Sequence, residues 1–356
     1  MEKQNMIRQL IIVKIFLLLV AFTIFASCSK QEPLPKAVQQ ETERGITIGF
    51  SIDTFVIERW QRDCDVFIAT ANALGADVIV QTAGNSAENQ NKQIQYLIER
   101  GVDALVIVPK EAGSLSDVLK LAKASNIPVI SYDRLITGAD ISLYITIDSR
   151  RVGELMAESL AAHVPSGNYI CIYGAQEDYN MQMATQGVHA VFARYPGIRV
   201  LEEYYTPDWN FDMAYSKMSE LLDSGSIPNA VICGNDAMAE RVLHALAEHR
   251  ISGVAVSGQD ADIAGCQRVV EGLQTMTVYK PITILARKAA ENAVSFAKHH
   301  KAADEEIDTV MNNGYADVPA ILLEPTAVSK DNIDEVIVQS GFHTKNEVYR
   351  IGIAQK

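Results

Sequence analysis

Short apolar runs alternate with stretches whose apolar residues recur at helical spacing, and the alternation starts twice along the chain. The first set of runs lies at 46–52, 78–80, 104–109, 128–132 and 144–147, and none contains a charged residue. Strands buried on both faces read this way, and such strands belong to parallel sheets covered by helices on both sides. The segments between them are helical. In the first, Trp60, Cys64, Phe67, Ile68 and Ala71 fall on one face and Gly75 marks the stop. Ser86 and Asp148 stand where helix caps are expected, and Pro281 suits the first turn of a long helix. The second set of runs lies at 169–173, 198–205, 230–233 and 254–256, with helices expected at 182–195, 211–223 and 237–249. Two such sets within 356 residues predict an α/β fold of two Rossmann-like lobes, each with its own parallel sheet.

The first residues have another character. Lys3 and Arg8 precede an apolar core at 15–25, too short to span a bilayer and suited to an export leader. Small residues then lead through Phe25-Ala26-Ser27 to Cys28. This end resembles the lipobox of bacterial lipoproteins, with Phe25 where Leu is usual. It implies a leader over 1–28, a lipidated Cys28 and a polar tether over 29–44. The mature domain is then periplasmic or extracytoplasmic, held to the membrane only by its N-terminal lipid. Net charge is −13, which argues against a nucleic-acid partner, since neutralising phosphates needs a basic face. The five cysteines form no CxxC pair, and Cys64, Cys171, Cys233 and Cys266 read as single buried thiols. No phosphate loop, nucleophile elbow or metal triad is present, so neither a cofactor nor a metal is expected.

Polar residues gather just beyond the ends of the apolar runs: Asp53 with Arg59, Asp133 with Arg134, Asp178 with Asn180, Asn235 with Asp236, then Asp260 and Lys280. In open α/β sheets ligands bind outside the carboxyl ends of the strands. Any one of these residues reads equally well as a helix cap or a solvated charge, and Asp148 and Asp236 read best as caps. As a set on both lobes they suit a polyhydroxylated ligand. Carboxylates accept from hydroxyls, Arg offers a rigid fork of donors and Asn does both. The chain has two tryptophans. Trp60 suits either the core or the cleft, whereas Trp209, in the loop 206–210, has no obvious core role. An indole face covers the CH face of a sugar ring well.

Glu58-Arg59-Trp60-Gln61, Tyr132-Asp133-Arg134, Gly234-Asn235-Asp236, the run 257–262 (SGQDAD) and the run 275–282 (TMTVYKPI) together resemble the periplasmic sugar-binding proteins of bacterial ABC uptake systems, in their D-xylose-binding branch. The runs 312–314, 317–319 and 341–343 fit as well, so the resemblance extends from about 46 to 343. It implies a type I periplasmic binding protein, two lobes joined by a three-crossing hinge, acting as a monomer. The crossings are placed near Asp148, Lys280 and Pro325. They give an N-terminal lobe of 45–148 with 281–325 and a C-terminal lobe of 149–280 with 326–350. The resemblance further implies that Arg59, Arg134, Asp178, Asn180, Asn235, Asp260 and Lys280 hydrogen-bond the sugar while Trp60 and Trp209 stack on it. The ligand implied is a monosaccharide, D-xylose, captured without bond chemistry and delivered to an ABC permease. A membrane sensor is the alternative partner. Departures lie at Asp53-Thr54-Phe55-Val56 and at 174–180. An enzyme reading would pair Asp178 with Asp260 as in a glycosidase, but the sequence offers no evidence of the water or nucleophile position this needs. A calcium site at Asp260 and Asp262 lacks the twelve-residue ligand loop.

Overall fold

The structure is a computed structural model that describes residues 45–56, 59–303, 307 and 309–350. The expected leader, Cys28, the tether, Ile57 and Glu58 lie outside the described residues. The chain begins with β1 (Ile46–Ile52), α1 (Arg59–Ala73), β2 (Ala76–Thr82), α2 (Ala87–Glu99), β3 (Ala104–Ile107), α3 (Ser116–Ala124), β4 (Val129–Tyr132) and β5 (Leu143–Ile147). The second set is α4 (Ser149–His163), β6 (Gly167–Tyr173), α5 (Tyr179–Phe192), β7 (Ile198–Tyr205), a 3₁₀ turn at Pro207–Trp209, α6 (Phe211–Asp223), β8 (Ala230–Cys233), α7 (Asp236–Glu248), β9 (Ala255–Ser257), α8 (Ile263–Glu271) and β10 (Thr277–Tyr279). Then follow α9 (Ile282–His299), β11 (Thr309–Asn312), β12 (Asp317–Leu323), β13 (Thr326–Val328), a π turn at Asp334–Val338 and α10 (Lys345–Val348).

Among the described residues the strands form one main sheet in the order β11-β12-β5-β4-β3-β1-β2, another in the order β7-β6-β8-β9, and a separate antiparallel pair of β10 with β13. Pairing within both sheets is parallel except for the antiparallel edge strand β11. In each sheet the opening strand lies between its two successors, so the chain reverses direction across the sheet beside that strand. Such a switch point leaves a crevice at the carboxyl ends of the flanking strands. The apolar runs are buried on both faces. Ala104 and Val106 of β3 pack into one core cluster, and Leu105 and Ile107 into another on the opposite face. In β8, Ala230 and Ile232 share the first cluster, while Val231 and Cys233 enter a third. Cys64, Cys171, Cys233 and Cys266 are free and buried, as their apolar settings suggest.

The chain passes between the sheets after β5, where Asp148 caps α4 by accepting from the Arg151 amide at 2.9 Å. It returns after β10 into α9, which packs on α1, β1 and β3. A last passage follows β12, because β12 pairs with β5 whereas β13 pairs with β10.

Two local expectations need correction, and two strands went unanticipated. Helix α5 starts at Tyr179 rather than Gln182, because Asp178 supplies its cap. Asp236 is not a cap: Asn235 caps α7 by accepting from the Met238 amide, and Asp236 is its first residue. Strands β11 and β13, short and partly exposed, carry no apolar run that announces them.

Candidate functional site

The first lobe's wall of the cleft starts from the ends of β1 and β4. Asp133 follows β4 in the left-handed region (φ 62°), a conformation few side chains tolerate and Asp tolerates better than most. Its carbonyl accepts from the Tyr144 hydroxyl at 3.0 Å and the Thr146 hydroxyl at 2.6 Å, which fixes the turn. The Asp133 carboxylate accepts from Arg59 Nη2 at 2.7 Å. Arg59, the first residue of α1, also pairs with Asp63 one turn on, and Asp63 accepts from the Tyr132 hydroxyl. Arg134 donates through Nη1 to Asp53, the residue after β1. Trp60 is buried, with the Arg59 guanidinium 4.3 Å from its ring centroid and that of Arg134 at 5.6 Å. Burial pushes the Asp53 and Asp63 carboxyls up, against the pull of Arg134 and Arg59. Burial acts on Asp133 as well, but Arg59, Lys280 and Arg134 outweigh it and hold that carboxyl below its ordinary range.

The second lobe's wall is made of helix beginnings and of the chain just past β9 and β10. Asp178 caps α5 by accepting from the Asn180 amide at 2.9 Å. Its other oxygen takes Arg134 Nε at 2.8 Å and Trp209 Nε1 at 3.1 Å. Asn180, in the first turn of α5, donates its side-chain amide to the Asp133 carboxylate at 2.7 Å. Asn235 faces the cleft as the cap of α7. Trp209 ends the 3₁₀ turn with φ 57°, and its indole lies so close over Gly174 that a Cβ there would sit 2.4 Å from the ring. Asp260 follows β9 with φ 94° and pairs with Lys280 Nζ at 2.9 Å, Lys280 standing just past β10. Left-handed backbone at Asp133, Trp209 and Asp260 is strain gathered at one place, as at sites whose geometry serves a ligand.

Arg134–Asp178 and Asn180–Asp133 join one wall to the other. At the mouth Lys110, just beyond β3, bridges to Asp208 at 2.7 Å and Glu177 at 3.7 Å. The walls are therefore closed on each other. Between them lies a cavity of about 30 Å³, room for about two or three waters at roughly 10–15 Å³ each. Arg59, Trp60, Arg134, Asp178, Asn180, Trp209, Asn235, Asp260 and Lys280 all line it. Asp133, Ser149, Met181 and Gln259 line it too and were not singled out as ligand contacts. Asp133 had its signal in the run Tyr132-Asp133-Arg134; Ser149 and Met181 sit in first turns of helices and had none. Lys110, at a strand end, was likewise legible and passed over.

Two buried polar atoms of the cleft, Trp60 Nε1 on the first wall and Asn180 Oδ1 on the second, have no hydrogen-bond partner among the described residues. Buried polar groups are nearly always satisfied, so this donor and acceptor point to a ligand that supplies both. The rest of the lining alternates carboxylates, amides and cations beside two indoles, the chemistry of a hydroxylated ring. Asp178 and Asp260 each face a cation. Among the described residues no group of His, Cys, Asp or Glu converges as a metal site.

The model of the family described as periplasmic binding protein domain matches residues 48–301. The D-xylose-binding periplasmic protein of Escherichia coli is 42% identical over 308 residues, 85% of this chain and 92% of that protein. The protein of the same name in Haemophilus influenzae is 40% identical over 92% of this chain and 96% of its own. Among solved structures, an ABC transporter solute-binding protein from Clostridium phytofermentans with bound β-D-glucose superposes with a TM-score of 0.78 at 28% identity, covering 85% of this chain and 99% of that one. A carbohydrate transporter solute-binding protein from Chloroflexus aurantiacus in complex with D-glucose gives a TM-score of 0.77 at 25% identity over 84% and 97%.

Proposed function

The chain belongs to the periplasmic binding protein family, a family of solute receptors and not of enzymes, and from that premise we propose that it captures D-xylose between its lobes for an ABC permease. The observation that carries the sugar reading is the cavity itself. It brings paired carboxylates, guanidinium forks and two indoles together, and leaves Trp60 Nε1 and Asn180 Oδ1 without partners. The choice of D-xylose rests on the two relatives of that name at 42% and 40% identity.

As it stands the cavity is too small for a pyranose, so entry requires the walls to part. Opening breaks the pairs Arg134–Asp178, Asn180–Asp133 and Lys110–Asp208, and closure over the sugar remakes contacts through its hydroxyls. The passages between the sheets after β5, β10 and β12 are where such a hinge bends. Micromolar affinity corresponds to about −8 kcal/mol. A few charge-assisted hydrogen bonds at about 1.5–3 kcal/mol each reach that before ordering costs are subtracted. Outside the cell membrane, anchored through a lipid on Cys28, the closed form is what the permease meets.

A thermal-shift panel tests this, with D-xylose, ribose, arabinose, glucose and galactose at millimolar levels. Ligand at a hundred times its dissociation constant adds about 2.7 kcal/mol of stability. A rise in Tm with D-xylose above the other sugars is expected. A rise with another sugar alone overturns the xylose assignment, and a flat panel overturns sugar capture.

A further inference from the structure

We infer that Asp236, which does not line the cavity, is the positioning residue of the second wall: it holds the strained turn that aims Asp260 at the ligand. The inference rests on the monosaccharide reading above.

Asp236 is fully buried at the start of α7, next to the cavity-lining cap Asn235. Its carboxylate is a hub for three other segments. One oxygen accepts from Gln274 Nε2 at 2.7 Å. The other accepts from the Thr277 hydroxyl at 2.8 Å and the Asp262 amide at 3.0 Å. Its own amide donates to the Gln259 carbonyl at 3.1 Å, and its carbonyl accepts from Arg268 Nη2 at 2.7 Å. Space has been made for this carboxylate. A Cβ on Gly258 would lie 2.2 Å from one of its oxygens, and a Cβ on Gly265 would lie 2.3 Å from the other.

The turn it holds would not stay put unaided. Asp260 and Ala261 both have positive φ, 94° and 52°, and neither is glycine. Backbone in this region persists only where its surroundings over-determine it. Successive amides are therefore tied down. Asp260 N donates to the Val278 carbonyl at 2.9 Å, Ala261 N to the Thr277 hydroxyl at 3.2 Å, and Asp262 N to Asp236. The Thr277 hydroxyl both accepts from Ala261 and donates to Asp236, so Asp236 orients the acceptor of one amide and is itself the acceptor of the next. Without it, the anchors of Ala261 and Asp262 fail together and the Asp260 carboxylate leaves the cleft.

Thr277 offers the cleanest test, because Thr277→Val removes the relay hydroxyl at nearly constant shape and Thr277→Ser restores it. Full-length wild type, Thr277→Val, Thr277→Ser and Asp236→Asn are titrated with D-xylose by calorimetry. In parallel, amide exchange over 260–262 is followed without sugar. Thr277→Val and Asp236→Asn are expected to weaken binding about tenfold or more and to speed exchange at the turn, with Thr277→Ser within about twofold of wild type. If Asp236→Asn does not fold, the Thr277 pair decides alone. Wild-type affinity and unchanged exchange in Thr277→Val overturn the inference, even if Tm falls. A wild type silent to D-xylose sinks the xylose reading instead, and the exchange arm then judges the positioning role by itself.

Discussion

On the first lobe's wall, Arg59 and Arg134 reach the cleft already paired with carboxylates of their own lobe, Asp133 and Asp63 for one and Asp53 for the other. On the second lobe's wall, Asp178 and Asn235 reach it as the caps of α5 and α7. The first wall is held by buried ion pairs; in the second, the edge formed by α5 and α7 is held by helix geometry, while Asp260 pairs with Lys280. A cation in the first wall cannot be removed without stranding a buried carboxylate, so binding and stability fail together there. A cap in the second wall has separable duties, since another capping residue can keep the helix while losing the contact.

The largest effect is expected from Arg134→Ala, which strands Asp53 and Asp178, both almost wholly buried. Breaking such a pair costs about 3–5 kcal/mol, so urea unfolding should show a loss of that order beside a more than tenfold loss of sugar affinity. Retained stability would mean that the first wall is not held by its ion pairs. Next comes Asp178. Asp178→Ala should lose the cap's share of stability, about 1 kcal/mol, on top of what the lost pair with Arg134 costs, together with most sugar affinity, whereas Asp178→Ser should regain the cap's share and not the affinity. If Ser restores both, the second wall works by capping alone and the contrast collapses.

A smaller effect follows from Asp236. Burial raises its carboxyl to about 7 from 3.8, with Asp260 adding to the rise and Gln274, Arg268 and Thr277 opposing it. Also facing it are Asp262, Cys266, Cys233 and, through Arg268, Glu240. Between these pH values the folded chain holds a proton that the unfolded chain has lost. The group's contribution is complete below about pH 4 and lost as pH rises through 7. Wild-type Tm should thus fall from pH 5 to 8 more steeply than that of Asp236→Asn; parallel curves would refute this. The smallest effect is expected at the mouth. Lys110 is buried but its partners Asp208 and Glu177 are largely exposed, so Lys110→Met should weaken binding only a few fold, and less so in high salt, where calorimetry can follow it.

The sheets were legible because strands such as β3 and β8 carry no charge and are buried on both faces. Most polar cleft residues were legible as a set because they cluster just beyond the strand ends of both lobes, whereas Trp60 reads alone as either core or cleft. What escaped depends on tertiary context. The start of α5 was misplaced because Gln176, Glu177, Asp178 and Asn180 read as a polar loop, and only the fold shows Asp178 capping. Asp236 read as a cap because Asn and Asp compete for that place, and the side chain that turns inward is fixed by Gly258 and Gly265, far along the chain. The pairing of Arg134 with both Asp53 and Asp178 joins residues 81 and 44 positions away, which no local pattern records.

Both tryptophans of the chain line the cleft, so tryptophan emission, excited selectively where the tyrosines do not absorb, reports on the site. Titrating D-xylose into the protein while following that emission is the most direct test of capture between the lobes. A saturable change fitting one site, absent in Asp260→Ala, is the result expected. Emission unchanged by D-xylose and by every other monosaccharide would contradict the account.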